Sequence, residues 1–187
     1  MADIRKKSPK VALLVLRAQA GDRDALDQLL ERYQGELFAY LKKMLHDHAD
    51  AEDALQMTLL QAAKKLRWLQ NPKVFRAWIY RIASRTAYRL IARRRRSREI
   101  MDERVQDIPE VHLEPRYDED LVAMIPEWLD RLTLKCREAV ILHYLRGFTT
   151  ERVAEILDIP LGTARSRISY ALATIRRQLP YEREDQS

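Results

Sequence analysis

Glycine is scarce in this chain, with four in 187 residues, and the seven prolines are thinly spread. Sheets need such residues at their turns, and no stretch alternates apolar and polar side chains as a half-buried strand would. An all-α fold is therefore predicted. The single cysteine, Cys136, excludes a disulfide framework and any paired-cysteine zinc site, which fits a reducing cytoplasmic setting. Cys136 itself reads as a small buried hydrophobe. Long apolar runs are missing as well. "VALLVL" at 11–16 is too short to span a bilayer and is followed by Arg17 with no small-residue cleavage pattern, so neither membrane insertion nor a secretory leader is expected. The four histidines, at 46, 48, 112 and 143, are scattered. His46, Asp47, His48 and Asp50 read as a polar turn rather than a metal site, and no catalytic set, metal or cofactor is predicted.

Charge is plentiful. Lys and Arg number 34 against 28 Asp and Glu, a formal net charge of +6, which suits a polyanionic partner. Residues 1–96 hold 21 basic and 10 acidic side chains, residues 97–125 hold 3 and 9, and residues 126–187 hold 10 and 9. That distribution, with Pro109 and Pro115 in the acidic strip, divides the chain into two small helical domains at 8–96 and 126–180 joined by an acidic flexible linker at 97–125.

Apolar residues recur at three- and four-residue spacing through most of both domains. A first helix at about 8–20 ends near Gly21, and Asp22 or Asp24 caps a second, whose inner stripe is Leu26, Leu29, Leu30, Tyr33, Leu37, Phe38 and Leu41. "HDHAD" breaks the pattern; a third helix starts around Asp50, and a fourth runs from about Val74 to Arg96 after the "QNPKV" turn. "EWLDRL", "LKCREAVILHYLRG", "TTERVAEILD" and "PLGTARSRISYALATIRRQL" make four helices in the second domain.

The fourth helix carries a core stripe of Phe75, Trp78, Ile79, Ile82, Thr86 and Leu90, and on another face Arg81, Arg85, Arg89 and Arg93 at four-residue spacing. It contains no Asp or Glu. Like charges so spaced repel by roughly 0.2–0.5 kcal/mol per pair, a cost that phosphates along the stripe remove. A solvated face paired to acids on a neighbouring helix is the plainer alternative. Trp68, beside the turn, is the better candidate for stacking on an unpaired base, whereas Trp78 reads as core.

"TTERVAEILDIPLGTARSRISYA" reads as a helix-turn-helix. Thr149 or Thr150 caps a helix that turns Val153, Ala154, Ile156 and Leu157 inward, "DIPLG" makes the turn, and Gly162 or Thr163 opens the next helix. Such a helix enters the major groove: Thr163 and the first backbone N–H groups take phosphates, and Arg165 reaches guanine O6 and N7. Arg167, Ser166, Ser169 and Tyr170 are its other outward candidates, while Ile168, Ala171, Leu172 and Ile175 hold it to the body.

The stretch from "LDRLTLKCREAVILHYLRG" through this motif to "RRQL" resembles region 4 of the extracytoplasmic-function (ECF) sigma factors of bacterial RNA polymerase. "AQAGDRDALDQLLERY", "AEDALQMTLLQAA" and "FRAWIYRIA" resemble region 2 of the same sigma-70 family, in the same order. The resemblance implies a promoter-specificity subunit without catalysis of its own, with core RNA polymerase and promoter DNA as partners and an anti-sigma factor as restraint. It implies polymerase docking by Glu52, Asp53 and Gln56. It further implies capture of the melted −10 strand by Trp68, Gln70, Asn71, Arg76, Tyr80, Arg81, Arg85 and Arg89. Reading of the −35 duplex falls to Thr163, Arg165, Ser166, Arg167, Ser169 and Tyr170. The chain departs from the common family pattern at Met57, Arg85, Arg89 and Tyr170. A stand-alone helix-turn-helix regulator is the rival reading; it leaves the first domain unused.

Overall fold

The computed structural model describes residues 8–97 and 128–177, with side chains for 11–94 and 128–177. The linker predicted at 97–125 lies, but for Ser97, outside the described residues. Among those residues there are seven α-helices and no strand. The chain divides into two compact units, with the boundary between Met101 and Asp102.

The first unit holds α1 (Ser8–Gln19), α2 (Arg23–Leu45), α3 (His48–Lys65) and α4 (Phe75–Ser97). Two single 3-10 turns, Leu66–Trp68 and Pro72–Val74, join α3 to α4. Each start and stop has a local cause. Gly21, at φ +95°, turns the chain out of α1, and the Asp22 carboxylate accepts from the Ala25 N–H at 3.0 Å to open α2. His46 ends α2 in the left-handed region at φ 56°, its N–H donating to Lys42 O. Helix α3 starts at His48, slightly ahead of the expected start around Asp50, because Asp47 caps it, accepting from the Asp50 N–H at 2.9 Å. Asp50 lies in the first turn, where its charge complements the helix N-terminus.

Leu29, Leu37, Tyr40 and Leu41 of α2, Ala51 and Ala54 of α3, Val15 of α1 and Phe75, Ile79 and Tyr80 of α4 are sealed from solvent. Because α4 packs on both α2 and α3, its buried arc is wider than one stripe and takes in Ile82, Ala83, Thr86 and Ala87. Trp78 is half-buried against Phe75, ring centroids 5.7 Å apart.

In the second unit a 3-10 turn at Leu129–Arg131 leads to α5 (Leu134–Val140), capped by Thr133. Arg137 is buried, and its guanidinium donates to the carbonyls of Leu129 (2.8 Å), Leu132 (3.2 Å) and Asp130 (3.3 Å). A cation thus satisfies the carbonyls of Asp130 and Leu132 and shares that of Leu129 with the Leu132 N–H that closes the turn at 3.1 Å. The single helix predicted over "LKCREAVILHYLRG" widens into a π-turn at Ile141–Leu145, closed by Arg146 N–H to Ile141 O at 2.9 Å. Gly147 (φ 68°) reverses the chain, and His143 Nδ1 meets Phe148 O at 2.8 Å. Thr149 caps α6 (Thr150–Leu157), and Asp158 in the left-handed region starts the turn into α7 (Leu161–Arg176). Val153, Ile156, Ala164, Ile168, Ala171, Leu172 and Ile175 close this core with Cys136, Val140 and Ile141. Cys136 is fully buried, which pushes its thiol pKa up.

Candidate nucleic-acid interfaces

The turn between α3 and α4 is built to expose one aromatic ring. Leu66 and Leu69 are buried, so Arg67 and Trp68 between them are forced outward. Trp68 is 61% exposed, and the Arg67 guanidinium lies over its indole at 4.0 Å from the ring centroid. Gln70 and Asn71 follow, both exposed. Asn71 Oδ1 is already engaged, accepting from Lys73 N–H at 3.0 Å as the cap of the next turn, which leaves its amide NH2 as the group to offer a ligand.

Along α4, Arg81, Arg85 and Arg89 share the face opposite the buried arc. Arg89 is braced across α3: its guanidinium donates to Gln61 Oε1 at 3.1 Å, to Thr86 Oγ1 at 3.3 Å and to Arg85 O at 3.2 Å. Arg76 is not on that face. Five residues before Arg81, it sits roughly 140° away around the helix. There it pairs with Glu36 of α2 at 3.3 Å and lies over the Tyr80 ring. Tyr80 is not available to a strand: it is wholly buried, edge-on to Tyr40 with centroids 5.3 Å apart. Arg94 turns to the start of α3, bridging the Asp47 carboxylate (3.4 Å) and that of Asp50. The Asp50 N–H and Arg94 together hold the Asp47 carboxyl below the ordinary Asp range. So the plainer reading of this helix, acids of a neighbour partnering its arginines, applies at Arg76 and Arg94.

On α3, Glu52, Asp53 and Gln56 are all exposed, and His48 Nε2 contacts Glu52 at 3.3 Å. Beside them lie Met57 and Leu60, large apolar side chains that are also exposed. Residues 53, 56, 57 and 60 make one stripe opposite Ala51, Ala54, Leu55, Thr58 and Ala62 of the core. The apolar half of that stripe was not anticipated from sequence, although its three- and four-residue spacing is legible there.

In the second unit α7 begins at Leu161, with Pro160 preceding it and no side-chain cap. Thr163 is therefore in the first turn rather than at the cap, and the N–H groups of Leu161, Gly162 and Thr163 lack intrahelical acceptors. Thr163, Ser166, Arg167 and Tyr170 form one accessible stripe, with the Ser166 hydroxyl donating back to Thr163 O at 3.1 Å. Arg165 is exposed on the flank next to α6, where it helps hold the Glu151 carboxyl below its usual range; the Glu151 backbone N–H and the Thr149 hydroxyl are the stronger causes. Arg167 is on the other flank, close enough to α5 to oppose the upward shift of Cys136. Ser169 faces the core instead, 3% exposed. It is 40° from Arg165 on the wheel by roughly one turn's spacing, and that small rotation takes it under the neighbouring helices.

One unit with a helix-turn-helix and another with an arginine-faced helix and an outward aromatic turn define a two-module DNA-binding protein. The profile described as Sigma-70 region 2 matches residues 29–97, and that described as Sigma-70, region 4 matches residues 123–175. RNA polymerase sigma-H factor of Pseudomonas aeruginosa is 31% identical over 178 residues, covering 89% of this chain and 92% of that protein. ECF RNA polymerase sigma-E factor of Escherichia coli (strain K12) is 29% identical over 176 residues, covering 87% and 91%. Among solved structures, the sigma factor RpoE in complex with the anti-sigma factor NepR from Bartonella quintana matches with a TM-score of 0.62 at 28% identity, covering 84% of this chain and 98% of that one. CnrH, in complex with the cytosolic domain of CnrY, shares the fold at a TM-score of 0.66 and 22% identity, covering 90% and 96%. The chain belongs to the sigma-70 family of RNA polymerase sigma factors, in its extracytoplasmic-function class. It directs core polymerase to specific promoters and assists in melting them.

Proposed function

We propose that the two units divide promoter recognition, the first gripping the melted strand and the second reading duplex. The observation that supports this division most strongly is the pairing of an exposed, arginine-backed Trp68 with the acid-free face of Arg81, Arg85 and Arg89. An aromatic ring for stacking beside a row of cations is the combination that binds unpaired strands. Trp68, Gln70 and the Asn71 amide contact bases of the −10 element, and the three arginines follow its phosphates. In the second unit Arg165 reads a base edge of the −35 element, while Thr163, Ser166, Arg167, Tyr170 and the first-turn N–H groups fix the helix on the backbone.

Glu52, Asp53 and Gln56, flanked by Met57 and Leu60, dock on core polymerase. Their exposure on a helix face away from the core, with apolar area beside the acids, suits a protein partner better than a polyanion. The protein acts in the cytoplasm, has no catalytic activity of its own, and is restrained by an anti-sigma factor; RpoE of Bartonella quintana is in complex with the anti-sigma factor NepR in its solved structure. The test is in vitro transcription with purified core polymerase and a promoter library. Substituting Glu52, Asp53 and Gln56 together should abolish co-migration with core while duplex binding by the second unit persists; unchanged co-migration would remove α3 from the docking surface.

A further inference from the structure

Gln19 is the last residue of α1, distant in sequence from the α3–α4 turn. Its side-chain amide nonetheless donates to Leu66 O at 2.9 Å and to Leu69 O at 2.8 Å. Those two carbonyls bracket Arg67 and Trp68. Both hydrogens of one amide group are thus spent on the two ends of the outward segment, and the contact is partly shielded from water. Leu66 O also closes the turn itself, accepting from the Leu69 N–H at 3.0 Å, so Gln19 reinforces that closure at one end and satisfies a helix-end carbonyl at the other.

The Gln19 end is itself fixed. Arg17 and Asp22 close the exit of α1 with a guanidinium–carboxylate pair at 2.6 Å, and the Asp22 N–H donates to Arg17 O at 3.1 Å. Between them the chain turns at Gly21 in a conformation that suits glycine. Asp22 also caps α2. The end of α1 and the start of α2 are therefore joined through backbone and side-chain contacts, and Gln19 ties the α3–α4 turn to that junction. Trp68, the exposed large apolar side chain of the turn, has the Arg67 guanidinium over its ring and is 61% exposed.

We infer that Gln19 is a positioning residue for strand capture: it presets the Leu66–Leu69 turn so that Trp68 meets an unpaired base without first having to be ordered. The inference rests on the base-contacting role proposed above for Trp68. Gln19 touches no nucleic acid; it acts through the two carbonyls. Ordering a segment on binding lowers apparent affinity by the fraction of time it is misplaced, so a preset turn binds more tightly than a mobile one with the same contacts.

The test compares full-length wild type with Gln19→Leu and Gln19→Glu, each assembled with core polymerase. The probe is fork DNA whose unpaired strand has been selected from a randomised pool by the wild-type holoenzyme. Neither substituted side chain can donate twice to carbonyls at neutral pH. Expected results are faster amide exchange confined to the α3–α4 turn and an affinity for the fork about tenfold lower, with core binding and fully duplex binding unchanged. If Gln19→Leu loosens the whole first unit, Gln19→Glu, which keeps the side-chain shape, decides. Trp68→Ala runs in parallel. Loss of fork binding in Trp68→Ala with none in either Gln19 variant overturns the positioning role alone. No loss in Trp68→Ala overturns the base-contact reading on which it stands.

Discussion

Tyr80 and Trp68 lie in the same unit and both are aromatic, yet their surroundings demand opposite consequences of truncation. Tyr80 is wholly enclosed and meets Tyr40 edge-on, so Tyr80→Ala empties a ring's volume from a closed core. Such deletions cost about 3–5 kcal/mol. For a unit of this size that is a fall of roughly 12–40 °C in melting temperature, a large share of the roughly 5–15 kcal/mol that holds a domain together. Trp68, largely in solvent, costs no more than about 0.5 kcal/mol when truncated. Losing its stacking face instead removes about 1–3 kcal/mol of strand binding, a roughly 5- to 150-fold drop in affinity. The assay is paired: urea unfolding of the full chain followed by amide exchange in residues 8–97, and fork-DNA affinity of the holoenzyme well below the melting temperature. Tyr80→Phe serves as the control that keeps the ring, and it should leave both readouts near wild type. A Tyr80→Ala protein with unaltered stability and a selective loss of fork binding would refute the argument.

Other expectations follow from the same geometry. Arg165→Ala should relax promoter selectivity, whereas Arg89→Glu, which sets a carboxylate against Gln61 Oε1 and approaching phosphates, should weaken open-complex formation at every promoter; permanganate footprinting separates the two, and identical losses from both would contradict it. Ser166→Ala and Ser169→Arg invert the usual ranking of conservative and drastic changes: the first should alter −35 affinity without unfolding, the second should destabilise the second unit by overpacking its core. Thermal melts decide that comparison. Asp22 and Asp47 have carboxyls held below the ordinary Asp value, chiefly by the backbone N–H groups they cap. A depressed folded-state value means stability that is present above the unfolded Asp range and lost as pH falls through the folded value. Asp47→Asn should therefore be less stable than wild type at neutral pH, with the gap closing in acid; a gap that stays constant with pH contradicts the assignment.

The fold was legible where local chemistry dictates it. Gly21, Asp22 and Thr149 mark helix boundaries because their conformational or capping preferences operate within a few residues. The inner stripe of α7, Ile168, Ala171, Leu172 and Ile175, is a periodic signal that needs no knowledge of neighbours. Tyr80 and Ser169 were misplaced for a single reason. Each sits just beyond the apolar stripe of its helix, and whether such a residue is covered depends on how many partners pack there, which no single-helix pattern contains. The Gln19 contact was illegible for a related reason, since it joins residues 47 and 50 positions apart in the chain through one amide. Helix spacing alone sets Arg76 off the arginine row, but that it and Arg94 meet acids depends on the Glu36, Asp47 and Asp50 side chains that α2 and the start of α3 bring to α4.

The central claim is that the first unit holds an exposed strand while the second reads closed duplex. Holoenzyme affinity for matched DNA probes, fully paired or with the −10 strand unpaired, measures it most directly in wild type and in Trp68→Ala. The account predicts that unpairing strengthens wild-type binding and that Trp68→Ala loses most of this gain while binding the paired probe as before; equal affinity of the wild type for both probes would contradict it.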